Sequence, residues 1–234
     1  MPGATFEAMP LATYKDLCID ASDAHARAGF WAGMLGWDAH LHDDRGASLR
    51  VGDRVLVWVN AVSEPKVVKN RLHLDVRAES LDAALAAGAA VVDEQPRWTV
   101  MNDTDGQEFC VFVRDAPVTD RVYELVWDVT GDVDEAHRVA QWWAHVLGGN
   151  AVREEHWSYV EGVDGLPFES IVFQPVPEDK TTKNRIHIDV STDDLAALVS
   201  EGAMPLREKG DGGIGWTVMV DPAGNEFCAF TPDD

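Results

Sequence analysis

The sequence predicts an α+β fold built from four βαβββ modules. The phrase KNRLHLDV at residues 69–76 returns as KNRIHIDV at residues 183–190. The stretch WTVMNDTDGQEFCVF, which begins at Trp98, returns as WTVMVDPAGNEFCAF from Trp216. This repeat divides the 234 residues into two homologous halves. Within each half, the order of one strand, one helix and three strands appears twice.

The first half contains modules one and two. Residues 14–21 predict a strand, and residues 24–35 predict an amphipathic helix with Ser22-Asp23 as its N-cap and Gly36 just past its end. Three short β-rich runs follow, up to Asn60. Module two predicts a strand at 71–77, a helix at 81–87 and strands near Ala90, Trp98 and Glu108.

The second half repeats this order, with predicted helices at residues 134–147 and 194–201. The tetrapeptides DTDG and DPAG, at residues 103–106 and 221–224, have the composition of tight turns. Each turn joins a WTVM strand to an EFC strand, which places Glu108 and Glu226 at the start of a strand. The two halves meet in a polar turn near Ala116, so we expect domains at residues 1–116 and 117–234.

Composition excludes several function classes. The formal net charge is −22, which would repel phosphate backbones and anionic lipid, so we expect no nucleic-acid or membrane partner. No stretch resembles an export signal or a membrane span. We therefore expect a cytoplasmic location. The three cysteines are widely spaced and fit neither a disulfide framework nor a zinc knuckle, which favours reduced thiols.

Side chains two residues apart on a strand share a face of the sheet. His73 therefore faces the same side as Asp75, and His187 the same side as Asp189. The same face gathers further acids and thiols on the neighbouring strands: Asp16, Cys18, Asp20, Glu108, Cys110, Glu124, Asp128, Glu226 and Cys228. Such a face predicts a polar cup that holds a cation. The alternative is structural: a histidine on a strand is commonly hydrogen-bonded, and Asp75 could pair with Arg71.

The modules, the KNRxHxD strand and the DPAGNEFC hairpin resemble the vicinal oxygen chelate superfamily, which includes glyoxalase I, extradiol dioxygenases and bleomycin-resistance proteins. The resemblance covers nearly the whole chain as two tandem glyoxalase-like domains. It implies that modules pair so that two curved, mixed β-sheets form cups with metal ligands inside. Carried over residue by residue, the ligands would be Asp16, His73 and Glu108 in the first half, and Glu124, His187 and Glu226 in the second.

This ligand set departs from the family pattern. Dioxygenases of the superfamily use two histidines and one carboxylate, whereas here one histidine joins two carboxylates. A harder site shifts the preference away from ferrous iron toward Mn, Mg, Ni, Co or Zn. The fourth carboxylate that glyoxalase I uses is missing, since the strand at residues 55–60 offers only Trp58 and Asn60. Glu108 or Glu226 is then the candidate catalytic base.

Three functional hypotheses stay open. The first is a divalent-metal-dependent lyase or isomerase that acts on a small oxygen-chelating substrate. The second is a metal-free protein that sequesters a small molecule, with Trp58, Trp98 and Trp216 lining the cup. The third is that one half keeps the functional site while the other is a scaffold. The expected partner is a small-molecule ligand, and the expected state is a monomer or homodimer.

Overall fold

The computed structural model describes residues 9–43 and 45–232. Residues 1–8, 44 and 233–234, which include the outer ends of both predicted domains, lie outside the described part. The described residues form sixteen strands and four α-helices in four successive βαβββ modules. The α+β fold class is therefore confirmed.

The first two modules follow the predicted order. The first contains β1 (Thr13–Ala21), α1 (Ala24–Leu35), β2 (Asp38–Leu41), β3 (Ala47–Val51) and β4 (Arg54–Ala61). The second contains β5 (Leu72–Ala78), α2 (Asp82–Ala86), β6 (Ala90–Glu94), β7 (Thr99–Asn102) and β8 (Glu108–Val113).

The last two modules repeat the pattern. The third contains β9 (Val122–Thr130), α3 (Val133–Leu147), β10 (Asn150–Arg153), β11 (Ser158–Glu161) and β12 (Ser170–Val176). The fourth contains β13 (Ile186–Ser191), α4 (Leu195–Ser200), β14 (Met204–Arg207), β15 (Thr217–Val220) and β16 (Glu226–Phe230), with a short 3-10 turn at Asp211–Gly213.

Local capping explains where α1 begins and ends. The carboxylate of Asp23 accepts a hydrogen bond from the backbone N–H of Ala26 at 3.0 Å, which satisfies a free N–H of the first turn. Gly36 has φ = 72°, and its N–H donates to the carbonyl of Ala32, which closes the last turn. Both ends lie where the sequence predicts them.

The modules pair across the halves of the chain. Sheet A has the strand order β14-β15-β16-β13-β1-β4-β3-β2, and sheet B has the order β10-β11-β12-β9-β5-β8-β7-β6. Sheet A thus joins modules one and four, and sheet B joins modules two and three. In each sheet the two modules meet along one antiparallel pair of strands, β1 with β13 and β5 with β9.

This pairing corrects the expectation that each half of the sequence closes its own cup. Modules one and three are equivalent copies, and so are modules two and four. The first strand of module one could therefore pair with the first strand of module two or with that of module four, because these two strands are equivalent. The local sequence pattern cannot distinguish the two arrangements. The domain boundary between residues 116 and 117 stays a prediction that rests on the sequence repeat. Each sheet contains strands from both sides of this boundary.

The apolar faces of the sheets carry the core, and the two long helices connect the sheets. Phe30 and Trp31 of α1 contact Phe109 of sheet B, with ring centroids 5.8 and 5.3 Å apart. Trp142 and Trp143 of α3 make the corresponding contacts to Phe227 of sheet A, at 6.1 and 5.2 Å. Each helix therefore packs on its own module and on the opposite sheet. None of the helices in the described ranges is long and apolar enough to cross a membrane.

Candidate functional site

Each sheet has a cavity on its polar face. Cup A, the cavity on sheet A, has a volume of about 470 Å³ and contains His187, Asp189 and Cys228 in its lining. Cup B, the cavity on sheet B, has a volume of about 430 Å³ and contains His73, Asp75 and Cys110 in its lining. The alternation of side chains along the strands places these residues on the cup face and their apolar neighbours in the core.

In cup A, a histidine and a carboxylate from β13 lie between two thiols. His187 Nε2 is 3.5 Å from Asp189 Oδ1. The thiol of Cys18, on β1, lies 3.4 Å from Asp189 Oδ2. The thiol of Cys228, on β16, lies 3.4 Å from His187 Nε2. All four side chains are buried, so this cluster lies at the floor of the cup.

Cup B contains the equivalent cluster with one thiol. His73 Nε2 lies 3.4 Å from Asp75 Oδ1 on the same strand. Ligand atoms of His73, Asp75 and Cys110 all lie within 4.8 Å of one another. Val126 is the cross-strand neighbour of His73, just as Cys18 is the neighbour of His187. Cup B therefore has an apolar side chain at the position of the extra thiol.

The donor set fits a divalent metal ion. In both cups, the imidazole Nδ1 and one carboxylate oxygen of the aspartate are buried without a hydrogen-bond partner: His73 Nδ1, Asp75 Oδ1, His187 Nδ1 and Asp189 Oδ1. Buried polar atoms normally have partners, because leaving one unsatisfied costs about 1–3 kcal/mol. An ion bound at the aspartate oxygen would supply the missing interaction.

Burial controls the protonation of the cup A cluster. Desolvation, reinforced by the charge of Lys183, lowers the pKa of His187 to about 4, so the imidazole is neutral at pH 7. Desolvation also raises the pKa of Asp189, and the neighbouring carboxylate of Asp16 raises it further. The thiol pKa of Cys18 is raised well above its usual value by burial and by Asp189. Neutral imidazole is the form of histidine that binds metals.

A second carboxylate lies beside the aspartate of each cluster. Asp16 is the cross-strand partner of Asp189, and Glu124 is the cross-strand partner of Asp75. Glu124 lines cup B and accepts a hydrogen bond from the hydroxyl of Ser170 at 2.9 Å. Burial raises the pKa of Glu124. The two carboxylates together make the floor of each cup attractive to a cation.

The predicted catalytic glutamates lie on the walls of the cups and are already bound by protein groups. Glu108 Oε1 is 2.7 Å from Lys66 Nζ, and Glu108 Oε2 accepts the backbone N–H of Asn70 at 3.1 Å. The same pair of contacts recurs in cup A, where Glu226 is bound by Lys180 at 2.8 Å and by the N–H of Asn184 at 3.1 Å. Their assignment as bases or ligands stays a prediction.

Aromatic side chains form one wall of each cup. Trp216 stacks on Phe230 in cup A, with ring centroids 5.4 Å apart. Trp98 stacks on Phe112 in cup B, at 5.8 Å. Trp58 also lines cup A. All three tryptophans singled out in the sequence therefore lie in cup walls, and their contact with a ligand stays a prediction.

The structure regroups the six predicted metal ligands. Asp16, His187 and Glu226 lie on sheet A, whereas His73, Glu108 and Glu124 lie on sheet B. The expectation that Asp16, His73 and Glu108 share one cup is wrong, and so is the matching expectation for the second half. The physical reason is the cross-half pairing of equivalent modules.

The sequence placed the cysteines on the correct face of the sheet, but they were not among the predicted metal ligands. Cys110 and Cys228 lie two residues beyond the glutamates on their strands, next to the aspartates Asp75 and Asp189 in strand register. The sequence signal for them was their spacing of two residues from the glutamates, which places them on the same face of the strand. It was weak because a buried cysteine is commonly a small apolar residue.

Comparisons with known proteins agree with this architecture. The model of the glyoxalase-like domain family matches residues 16–112 and 128–230. Glyoxalase I from Zea mays superposes with a TM-score of 0.61 at 14% identity, covering 93% of this chain and 92% of that one. A putative dioxygenase from Bacillus subtilis gives a TM-score of 0.61 at 11% identity, covering 97% and 87%.

At such low identity, these structural likenesses show the fold alone. No curated protein matches the sequence. The two family matches together span most of the chain, and they coincide with the repeat. The chain therefore belongs to the glyoxalase-like domain family of the vicinal oxygen chelate superfamily.

Proposed function

We propose that cup B is the active site of a metal-dependent lyase or isomerase that acts on a small molecule with adjacent oxygen atoms. The observation that carries this proposal is the cluster of His73, Asp75 and Cys110, whose ligand atoms lie within 4.8 Å of one another at the floor of an open cavity. Glu124 lines the same cavity.

The donor atoms define the class of ion. Imidazole nitrogen, carboxylate oxygen and thiolate sulfur together favour Zn, Co or Ni over Mg and Mn, which prefer all-oxygen sites. Three protein ligands leave a coordination position open, as in catalytic zinc sites. When bound, such an ion acts as a Lewis acid on a carbonyl or hydroxyl oxygen of the ligand.

The residues of the chain provide the remaining chemistry. Glu124 is the proposed general base, because it lies opposite Asp75 across the β5–β9 pair and lines the cavity beside the cluster. Glu108 is less suited to this role, since Lys66 and the N–H of Asn70 bind its two oxygens. The stacked rings of Trp98 and Phe112 provide an apolar wall that orients the ligand and excludes water.

A second candidate is metal-free sequestration of a cationic aromatic compound. It is favoured by the thiol contacts in cup A, where Cys18 donates to Asp189 and Cys228 contacts His187, so that groups of the protein itself satisfy part of the cluster. Aromatic walls and acidic floors would suit such a ligand in either cup.

Elemental analysis separates the two candidates. Protein purified without chelator or added metal should carry a borderline transition metal, and cup B should reload with Zn or Co after chelation. If the protein carries no metal and takes up none, while a cationic aromatic drug quenches its tryptophan fluorescence, sequestration is the function. We further propose a cytoplasmic location, supported by the three free cysteines. A monomer is the simplest state, because one chain builds both cups.

A further inference from the structure

A third cavity lies between the two segments that carry the chain from one sheet to the other. We call it the crossover pocket, and its volume is about 520 Å³. One wall comes from residues 62–71, which lead from β4 of sheet A to β5 of sheet B. Another comes from residues 182–185, which lead into β13 of sheet A. Both copies of the repeated KNR triplet therefore line this pocket.

The lining of the crossover pocket reverses the charge balance of the protein. The whole chain has 19 basic and 41 acidic residues. The basic residues that line the pocket are Lys66, Lys69, Arg71, Lys183 and Arg185, and the acidic ones are Asp20 and Glu64. A concave surface where one sign of charge predominates focuses the electrostatic potential. This pocket is therefore a place where a strongly acidic protein can attract an anion.

The two arginines of the pocket are held mainly by neutral oxygens. Arg71 donates to the backbone carbonyl of Glu178 at 2.8 Å and to the hydroxyl of Thr130. Arg185 donates to the backbone carbonyl of Glu64 at 2.7 Å. Carbonyl and hydroxyl oxygens fix the direction of a guanidinium group but do not neutralise its charge. Since a guanidinium has five N–H donors, each arginine keeps donors for a ligand.

Arg185 also has a share in one carboxylate. Its Nη2 atom lies 3.5 Å from Asp105, and Arg27 Nη2 binds the same oxygen of Asp105 at 3.1 Å. Burial, and then the charge of Arg185, lowers the pKa of Arg27 to about 9. One carboxylate thus serves two guanidinium groups, and an anion in the pocket would give Arg185 a partner of its own.

An apolar surface lies beside these cations. Val62, Pro65, Val67 and Val68 all line the pocket. Val67 is 71% exposed and Val68 is 41% exposed, so both can be covered by a ligand. The three lysines of the lining are each paired with a carboxylate, which leaves the arginines as the groups that hold an anion. The pocket therefore suits a molecule with one anionic group and an apolar body.

We propose that the crossover pocket binds a small organic acid, with its carboxylate held by Arg71 and Arg185 and its apolar body against the two exposed valines. This site is separate from the function proposed above, because none of the residues of the two metal clusters lines it. It borders both cups, since Lys69 also lines cup B and Lys183 also lines cup A.

Isothermal titration calorimetry with 2-naphthoate, an aromatic carboxylate, tests this proposal. The wild-type protein should bind one naphthoate per chain, and it should bind the neutral isostere 2-naphthamide at least about tenfold more weakly. The loss of a hydrogen bond to a charged group predicts that Arg71→Gln weakens binding by about 10- to 100-fold. The matched control is Arg138→Gln, which removes an exposed arginine on α3 and should bind like the wild type.

A second variant leaves the arginines in place. Val67→Asp puts a negative charge at an exposed position of the pocket and should weaken naphthoate binding by about tenfold or more. Val92→Asp makes the same exchange at an exposed position on β6, outside the pocket lining, and should have no effect. Circular dichroism checks that each variant is folded, and Val67→Asp still tests the pocket if Arg71→Gln does not fold.

Three results would overturn the proposal. The first is no binding of naphthoate, and the second is equal affinity for naphthoate and naphthamide. The third is full binding by both pocket variants together with its loss in Trp98→Ala or Trp216→Ala, which would place the naphthoate in the cups. None of these results bears on the metal of cup B, because elemental analysis measures that separately.

Discussion

Glu124 lies directly opposite Asp75 across the antiparallel β5–β9 pair, so two carboxylates share the floor of cup B. Like charges placed side by side on a sheet are unfavourable unless a cation or a proton is shared between them. This arrangement leads to the first prediction about the chemistry of the cup.

Glu124→Gln should abolish proton abstraction in cup B while leaving metal content unchanged. Loss of a general base typically costs about 10²–10⁴-fold in rate. The measurement is the exchange of the α-proton of small α-hydroxycarbonyl compounds in D₂O, followed by proton NMR. Glu108→Gln is the matched control, and it should retain most of the exchange because Lys66 and Asn70 already hold Glu108. If Glu108→Gln abolishes the exchange and Glu124→Gln does not, Glu108 is the general base and the assignment is reversed.

His73→Ala should remove the ion of cup B and leave the ion of cup A in place. The reason is that His73 belongs to the cluster on sheet B, whereas His187 belongs to the one on sheet A. Mass-spectrometric metal analysis of the reconstituted protein measures the stoichiometry, and His187→Ala is the matched variant. If either single substitution removed both ions, the cups would not be separate sites.

Asp221 should make the stability of the fold depend on pH between about 4 and 6. Burial raises the pKa of Asp221 to about 6, and its carboxylate accepts the indole N–H of Trp143 at 3.0 Å. A carboxyl with a raised folded-state pKa contributes stability below its unfolded pKa of about 3.9, and this contribution is lost as the pH rises through about 6. The loss is on the order of 3 kcal/mol.

Chemical denaturation of wild-type and Asp221→Asn proteins at pH 4 and pH 7 measures this effect. The difference in unfolding free energy between the two proteins should change with pH in the stated direction, because only the wild type carries the titrating carboxyl. A difference that is constant with pH would show that burial does not shift the pKa of Asp221.

Phe109→Ala should destabilise both sheets together. Phe109 belongs to sheet B and is fully buried against Phe30 and Trp31 of α1, which also packs on strands of sheet A. Removal of a buried phenylalanine costs about 3–5 kcal/mol. Unfolding followed separately by far-ultraviolet circular dichroism and by tryptophan fluorescence should give one coincident transition at lower denaturant concentration. Two separate transitions would mean that the sheets unfold independently.

Several parts of the fold follow from the sequence alone. The α1 boundaries were predictable because Asp23 and Gly36 are strong local signals for the ends of a helix. The residues of the cup face were predictable because side chains alternate along a strand. This alternation places His73 and Asp75 on the same face. Helix α2 spans Asp82–Ala86, with Leu81 and Ala87 as its cap residues, so it is one residue shorter at each end than predicted.

Other parts depend on contacts between distant residues. Lys66 binds Glu108, which is 42 residues away in the sequence, and no local pattern predicts that pairing. The approach of Cys18 to Asp189 likewise requires knowing that β1 pairs with β13. The partner of each module was ambiguous for the same reason, because the repeat makes the alternatives chemically equivalent.

The cross-half pairing also has a consequence for biosynthesis. Sheet B is built from one uninterrupted stretch, β5 to β12, so it can close as soon as that stretch has left the ribosome. Strand β1 is synthesised before β13, with which it pairs. One edge of β1 therefore has no partner until β13 has been synthesised. A nascent chain would therefore expose this edge of β1 until β13 has been made, and an open strand edge is a template for pairing with other chains.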